Sequence, residues 1–490
     1  MDDPIRIPIA AVPAAIAGLE RPLVVDLDGS LVHSDTTLEA FLAASRSPLA
    51  LIRAIWALRD GRAAFKRQLA AAVTLNPAHL PYNAPLLTYL RAEHAAGRAL
   101  VLATGADRAT ADAVADHLRL FDRVLASDGQ TNMTGKNKLA AISRYLDGAP
   151  FTYIGNSGTD LGVWCGAAGA ICVNARPKVV RAAAMLTTVE REFSAPPGGA
   201  RLLLRAMRPH QWVKNLLVFV PLVAAHAIGD IPGWLAAIAM FVAFCCAASA
   251  IYLANDLTDL AADRRHPTKM HRPFASGVLP LPIGLIAAPL LMLLGIALSL
   301  AAGAFPTLLA YGALSVGYSL WLKTQPLVDV FALAALYGLR LLAGGAASGY
   351  PVSLWLLAFS SFLFLGLALI KRVAELMALP PGAMMRAAGR GYRAGDLPIL
   401  QLMGVASSFV ASMVLALYVQ SELASAAGRQ LTPSWIIVPA VLFWECRMWL
   451  VTARGEMHDD PVVYAARDWV SWFVAIGCFA VLLFDRLIGT

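Results

Sequence analysis

From Trp212 to the carboxyl end, apolar residues run in long blocks separated by short polar stretches. Each block is close to the ~20 residues that carry a helix across a bilayer. Nine such spans are expected, at approximately 212–228, 232–254, 281–302, 305–322, 327–347, 353–371, 400–419, 434–452 and 470–487. Upstream the pattern changes. Short runs of strand length, Pro22-Leu-Val-Val-Asp26, Ala99–Ala103 and Phe151–Ile154, each end in a polar or glycine-rich loop and alternate with helical stretches. That alternation predicts a parallel, Rossmann-like α/β sheet with its chemistry at the carboxyl ends of the strands. The stretch between the first two runs is mostly helical in pattern, including Leu38–Leu58 and Ala63–Val73. The breaker cluster Ser194-Ala-Pro-Pro-Gly-Gly199 marks the boundary. The expected organisation is an α/β head over 1–195, a linker over 196–210 and an all-α polytopic membrane domain of nine transmembrane helices over 211–490.

The charges between the spans alternate from side to side. Sixteen basic residues fall on one side, among them Arg201, Arg205, Arg208, Lys214, Arg264, Arg265, Lys269, Arg272, Lys323, Lys371, Arg372, Arg386, Arg390, Arg393, Arg454 and Arg467, against Arg429 and Arg486 on the other. By the positive-inside rule the head, every long polar loop and the candidate sites lie in the cytoplasm, and the carboxyl terminus outside, in a bacterial-type inner (plasma) membrane. No secretory signal pattern opens the chain. The hydrophobic fraction of 58% is too high for an ordinary soluble protein. The net charge of +8 gathers at membrane edges, which suits lipid headgroups and phosphate substrates and argues against a nucleic-acid partner. Six cysteines without C-x-x-C spacing indicate neither a disulfide framework nor a zinc site. Chain length and composition leave a homo-oligomer open.

Chemistry concentrates between the second and third spans. Asn255 is followed by Asp256, Asp259 and Asp263 at i, i+3 and i+7, which places three carboxylates along one helical stripe. Such a stripe repels itself unless a cation sits on it, and Mg²⁺, with the oxygens of a bound phosphate, is the natural one. Lys269 and Arg272 follow and suit the remaining phosphate charge. Two charged residues lie inside the fifth span: Asp329 is expected at the edge of the site and Arg340 in an interior polar network. Glu445 and Arg447 are candidates for a structural pair.

In the head, Asp26-Leu-Asp28-Gly-Ser30, Thr104-Gly105, Lys138 after Thr134-Gly135, and Gly155-Asn156-Ser-Gly-Thr-Asp160 stand in order at the ends of the predicted strands. Together they resemble the four motifs of the haloacid dehalogenase superfamily, most of whose members are Mg²⁺-dependent phosphohydrolases. The resemblance covers about residues 20–180. It implies that Asp26 is the nucleophile and Asp28 the acid/base, that Thr104 and Lys138 bind the phosphoryl group, and that Asp26, the Asp28 carbonyl and Asn156 bind Mg²⁺ with Asp160 in support. Lys136 is a less well-spaced alternative to Lys138. The resemblance also implies a helical cap over about 36–98, in which Lys66 and Arg67 are candidate anion contacts. The family usually has an acid where this chain has Asn156, so weaker metal binding or slower turnover is expected. A silent head kept for folding or docking is the alternative.

The spans and Asn255-Asp256-x-x-Asp259-x-x-x-Asp263 resemble the UbiA superfamily of intramembrane prenyltransferases. Arg208-Pro-His-Gln-Trp-Val-Lys214-Asn215, Asp263-x-x-His266-Pro-x-Lys269-x-x-Arg272-Pro273, Tyr318-x-x-x-Leu322-Lys323 and Lys371-Arg372-Val-Ala-Glu375 are most similar to the decaprenyl-phosphate phosphoribosyltransferase branch. That branch joins phosphoribosyl diphosphate to a polyprenyl phosphate. The resemblance implies Mg²⁺ on Asn255, Asp256, Asp259 and Asp263, with Lys214, Asn215, Tyr252, Lys269, Arg272, Tyr318, Lys323, Lys371 and Arg372 as substrate contacts. Prenyl-diphosphate users carry a second acidic motif, where this chain has Lys371-Arg372 and Glu375. Asp459 and Asp460 are poorly placed substitutes. The alternative is prenyl transfer to an aromatic or other small acceptor. A phosphatase head would remove the 5-phosphate that the transferase product still carries.

Overall fold

A computed structural model describes residues 21–194, 199–227, 229–378, 391–423, 433–457 and 460–489. Arg386, Arg390, Arg429 and Asp459 lie outside the described residues. The described chain divides into two compact units, one holding the residues up to Ala206 together with Ala254–Ile286, the other holding Met207–Leu253 and the residues from Ala287 onward.

In the first unit, β1 (Leu23–Val25) lies between two parallel partners, β2 (Leu100–Asp107) and β4 (Thr152–Gly155), with Leu23 opposite Leu100 and Thr152. With β3 (Arg123–Ser127), β5 (Gly169–Val173) and β6 (Thr188–Phe193) the order is β3-β2-β1-β4-β5-β6, every pair parallel. Four helices, α1 (Thr36–Ala44), α2 (Pro48–Trp56), α3 (Arg62–Ala72) and α4 (Ala84–Ala95), separate β1 from β2. The later crossovers carry α5 (Arg108–Leu118), α6 (Lys136–Tyr145), α7 (Leu161–Trp164) and α8 (Pro177–Leu186).

Side chains alternate across the sheet with period two. Leu23, Val25, Leu100 and Leu102 face one layer with Leu86, Leu90 and Val114, and Val24, Val101 and Tyr153 face the other with Ile142 and Trp164. Burial of both faces explains the near-continuous apolar strands. Order reverses beside β1, and ligands of such sheets bind at the strand carboxyl ends there. Within 36–98, α1 to α3 share a separate small core of Ala40, Ala44, Ala54 and Leu69 with Phe41 and Phe65, whereas α4 packs on the sheet.

Ala254–Ile286 joins this unit through specific contacts. Arg264 donates to both oxygens of Glu39 on α1, at 2.7 and 2.6 Å, with both side chains buried. Arg46 pairs with Asp259. Gly277 has φ +75°, and a Cβ there would lie 2.6 Å from the Cβ of His33, so the position requires glycine.

The second unit is helical. Val328–Ser348, Leu354–Met377, Leu397–Tyr418 and Ile437–Ala453 enclose a core that includes Val330, Tyr337, Phe364, Leu367, Met448 and Trp449. Among the described residues, six helices are long and apolar enough to cross a membrane: Ile231–Thr258, Leu281–Ala301, Val328–Ser348, Leu354–Met377, Leu397–Ser421 and Pro433–Ala453. A seventh is reached if Pro461–Arg467 and Trp469–Phe484, bent by 83°, count as one. The other two expected spans differ. Over 212–228 the chain forms a 3-10 helix, Pro209–Phe219, and a five-residue α-helix, Val220–Ala224, with Pro221 at its start, and over 305–322 the helix Phe305–Leu320 has 16 residues. Hydropathy counts apolar residues, whereas a proline without an N–H resets the hydrogen-bond ladder.

Candidate active sites

The head contains a cavity of about 870 Å³ at the carboxyl ends of β1 and β4. Asp26, Asp28, Lys138, Asn156 and Asp160 line its floor, with Lys66, Gly105 and Thr134 beside them. Phe41 and Phe65 from the cap, and Val278, Pro280, Leu281 and Pro282 from the start of a membrane-spanning helix, line an apolar wall.

Lys138 Nζ donates to Asp26 Oδ1 at 2.8 Å and to the Tyr153 hydroxyl at 2.9 Å, and that hydroxyl donates to Asp160 Oδ1 at 2.9 Å. Lys136, the first residue of α6, is exposed. Burial pushes the Asp26 carboxyl up to about 6 against the pull of Lys138. Burial would lower Lys138, but Asp26 and Asp160 hold it above its ordinary value. Asp28 accepts from the Thr36 N–H at 2.8 Å and is raised to about 7, by burial first and then by Asp35, which suits a group that both gives and takes a proton.

Asp160 Oδ2 accepts from the N–H groups of Asn156 and Ser157 at 3.0 and 2.9 Å and from the Ser157 hydroxyl at 3.0 Å. It therefore shapes the loop rather than facing the cavity with free oxygens. The Asn156 amide lies directly over Gly29, where a Cβ would come within 1.8 Å of it. Thr104 differs from its expected role: it is fully buried, accepts from the Ala106 N–H at 3.0 Å and does not line the cavity. Lys66 reaches the Gly105 carbonyl at 2.6 Å, while Arg67 is turned to the Asp128 carbonyl at 3.3 Å.

The acidic segment is not one straight stripe. The helix ends at Thr258, Asp259 caps a second helix, Leu260–Arg265, and the break rotates its side chain away from the other two. Asp256 and Asp263, both buried, accept from the same Arg272 nitrogen at 3.1 and 2.7 Å, whereas Asp259 is half exposed and pairs with Arg46. Arg272 thus occupies the position between two acids at which a cation was expected. Lys269 is exposed on the turn Lys269–His271. Among the described residues no three His, Cys, Asp or Glu side chains converge as a metal centre. Two carboxylates converging on one positive group, and in the head the Asp26 carboxylate with the oxygen donors offered by Asp28 and Asn156, are hard-donor sets that fit Mg²⁺.

In the second unit, Lys214 and Lys371 donate to the same oxygen of Asp460, at 2.6 and 3.0 Å. Tyr337 donates to the other oxygen at 3.3 Å. Burial alone would raise Asp460, but Lys371 and Lys214 hold its carboxyl well below the usual range, so two cations share one carboxylate. Sequence reasoning ranked Asp460 poorly, because nothing local signals a partner 246 positions away.

Asn215 and Arg372 are engaged internally. The Asn215 carbonyl accepts from Arg340 at 2.7 Å, and Arg340 also donates to the Tyr311 hydroxyl at 3.2 Å, forming the interior network expected of it. Arg372 is fully buried between Asp329 and Glu375, and Tyr392 donates to Asp329 at 2.5 Å. Arg372 is therefore an internal counter-charge and not an open phosphate contact, and Asp329 is its partner. The Arg208 guanidinium stacks 4.9 Å over Tyr252. Tyr318 lies beside Lys371 and Arg372, and Lys323 is half-buried in the turn Leu322–Thr324. Glu445 and Arg447 do not pair: i and i+2 positions diverge on a helix, so Ser412 donates to Glu445 at 2.9 Å and Arg447 holds Asp468 at 2.6 and 2.9 Å.

Residues 216–471 match the UbiA prenyltransferase family. Protein y4nM of Sinorhizobium fredii, itself uncharacterised, is 36% identical over 92% of this chain and 89% of its own length. Nodulation protein NoeC of Azorhizobium caulinodans is 38% identical over 57% of this chain and 91% of its own. The decaprenyl-phosphate phosphoribosyltransferase of Mycobacterium tuberculosis is 32% identical over 57% of this chain and 92% of its own. Among solved structures, a UbiA homologue from Archaeoglobus fulgidus bound to GPP and Mg²⁺ aligns with TM-score 0.44, at 17% identity, over 57% of this chain and 99% of its own. Phosphoserine phosphatase in its apo form aligns with TM-score 0.27, at 12% identity, over 35% and 92%. The chain belongs to the UbiA prenyltransferase family and is a multi-pass membrane transferase with an α/β head.

Proposed function

We propose that the chain transfers 5-phosphoribose from phosphoribosyl diphosphate to a polyprenyl phosphate, and that its head then removes the 5-phosphate. The observation that carries the reading is the pairing of Lys214 and Lys371 on the single carboxylate of Asp460, which leaves a surplus cation for a phosphate where prenyl-diphosphate users have acids. A donor with both a diphosphate and a 5-phosphate, and an acceptor that is itself a phosphate, call for that surplus. The 32% identity to a decaprenyl-phosphate phosphoribosyltransferase over nearly its whole length supports the same choice.

Asp256 and Asp263, with Asn255, are the residues that would hold Mg²⁺, and Asp259, expected to join them, is turned to Arg46. The ion supplies charge neutralisation for the departing diphosphate. Arg272 exchanges its two carboxylates for phosphate oxygens, and Lys269, exposed beside it, takes a further one. Lys214 and Lys371 hold phosphate, with Tyr252, Tyr318 and Lys323 as supporting contacts. As the bond from the anomeric carbon to diphosphate breaks, the lipid phosphate oxygen forms the new one. It is already an anion and needs no strong general base.

In the head, Asp26 attacks phosphorus while the bond to the sugar oxygen breaks, and the Asp28 carboxyl protonates that oxygen. Asp28 then takes the proton of the water that cleaves the aspartyl-phosphate, releasing inorganic phosphate. Lys138 offsets the phosphoryl charge. Asp26, the Asp28 carbonyl and Asn156 would hold Mg²⁺ there, with Asp160 fixing the Asn156 loop. The apolar wall from Val278 to Pro282 suits a substrate with a lipid attached.

The proposed domain limits are 1–195, 196–210 and 211–490, with nine crossings and the head and both sites in the cytoplasm. The experiment offers the purified protein labelled phosphoribosyl diphosphate with polyprenyl phosphate, and separately a labelled prenyl diphosphate with an aromatic acceptor. Label entering lipid only in the first arm is expected, and label moving only in the second replaces this reading with prenyl transfer.

A further inference from the structure

We propose that α2 and the turn after it anchor the head in the bilayer interface, against a layer of anionic lipid headgroups. On its inner side α2 packs Ala54 against the cap core. On the outer side Leu49 is 70% exposed, Ile52 56% and Trp56 62%, at i, i+3 and i+7, with Ile55 and Leu58 exposed beside them. Only Met185 and Leu186 are comparably exposed elsewhere in the described head, so five of its seven large exposed apolar side chains fall within ten residues. Soluble surfaces rarely concentrate apolar side chains in this way without a partner.

Charge and position identify the partner. Arg53, Arg59 and Arg62 are exposed along the same stretch with one acid, Asp60, among them, and the Arg59 guanidinium stacks 3.8 Å over Trp56. An apolar face carrying tryptophan and rimmed by arginine suits the boundary between acyl chains and anionic headgroups. Segments that lead into membrane-spanning helices touch the head itself. Arg46, two residues before α2, pairs with Asp259, the residue after the membrane-spanning helix Ile231–Thr258 ends. Glu39 on α1 is held by Arg264, and Gly277, four residues before the next spanning helix begins at Leu281, lies close against His33. Three residues from Arg46 to Leu49 span ~10 Å at most.

The full chain is placed in nanodiscs of phosphatidylglycerol with and without bromine on the upper acyl chain. Subtracting the emission of Trp56→Phe from that of the unsubstituted protein isolates Trp56. Its emission is expected to fall about twofold or more with brominated lipid, and less in Arg53→Glu. Emission insensitive to bromine overturns the proposal, whether red-shifted, as for a residue in water, or blue-shifted, as under a second copy of the chain. Amide exchange over 49–58 in the unsubstituted protein gives an independent reading. Protection about tenfold greater in phosphatidylglycerol discs than in phosphatidylcholine discs is expected, and equal exchange in both counts against it.

Discussion

Glu39 and Arg264 are both buried and meet through two hydrogen bonds, so each is tolerable inside the protein only because of the other. Arg264→Ala leaves an uncompensated buried carboxylate and is expected to cost about 3–5 kcal/mol, read as a lower melting temperature of the head. Asn156 acts differently, because it removes charge where a metal is expected. Asn156→Asp restores one negative charge and is expected to lower the Mg²⁺ concentration for half-maximal phosphatase activity by ~10-fold, checked by metal titration. Asp28→Asn removes the proton donor and acceptor and is expected to slow phosphate release by about 10²–10⁴-fold with binding little changed. Of these residues, Asp26, Asp28 and Asn156 were legible in the sequence because they sit at strand ends in order. The Glu39–Arg264 pair was not, since its members are 225 positions apart and belong to different sequence patterns.

At the scale of elements, the parallel strands and most of the spanning helices follow from apolar periodicity alone. The failures share a cause. The three aspartates were read as one stripe because spacing carries no information about where a helix breaks, and the break at Asp259 sends one of them to Arg46. The first span was read as an α-helix because apolar content does not register Pro221. Arg372 was read as a phosphate contact because its motif resembles that of the phosphoribosyltransferase branch, whereas Asp329 on the preceding helix neutralises it in the core. That pair ties Val328–Ser348 to Leu354–Met377, and Asp329→Ala is expected to destabilise the helical unit by about 3–5 kcal/mol, visible as a lower melting temperature in detergent. Lys371→Ala, by contrast, removes a half-buried cation from a shared carboxylate and is expected to reduce transferase kcat/KM by about 10- to 100-fold, the usual loss of a hydrogen bond to a charged group.

At the scale of the whole molecule, the chain joins a membrane transferase to a head whose cavity is walled partly by Val278–Pro282, the approach to a membrane-spanning helix. That wall suits the lipid-linked substrate proposed for the head, the product of the proposed phosphoribosyl transfer. Mass spectrometry of the lipids made by the purified full chain from labelled phosphoribosyl diphosphate, polyprenyl phosphate and Mg²⁺ tests this most directly. The unsubstituted protein is predicted to yield lipid-linked ribose without a 5-phosphate, and Asp26→Asn to accumulate the same lipid with the 5-phosphate retained. Absence of label from the lipid, or identical products from both proteins, would contradict the account.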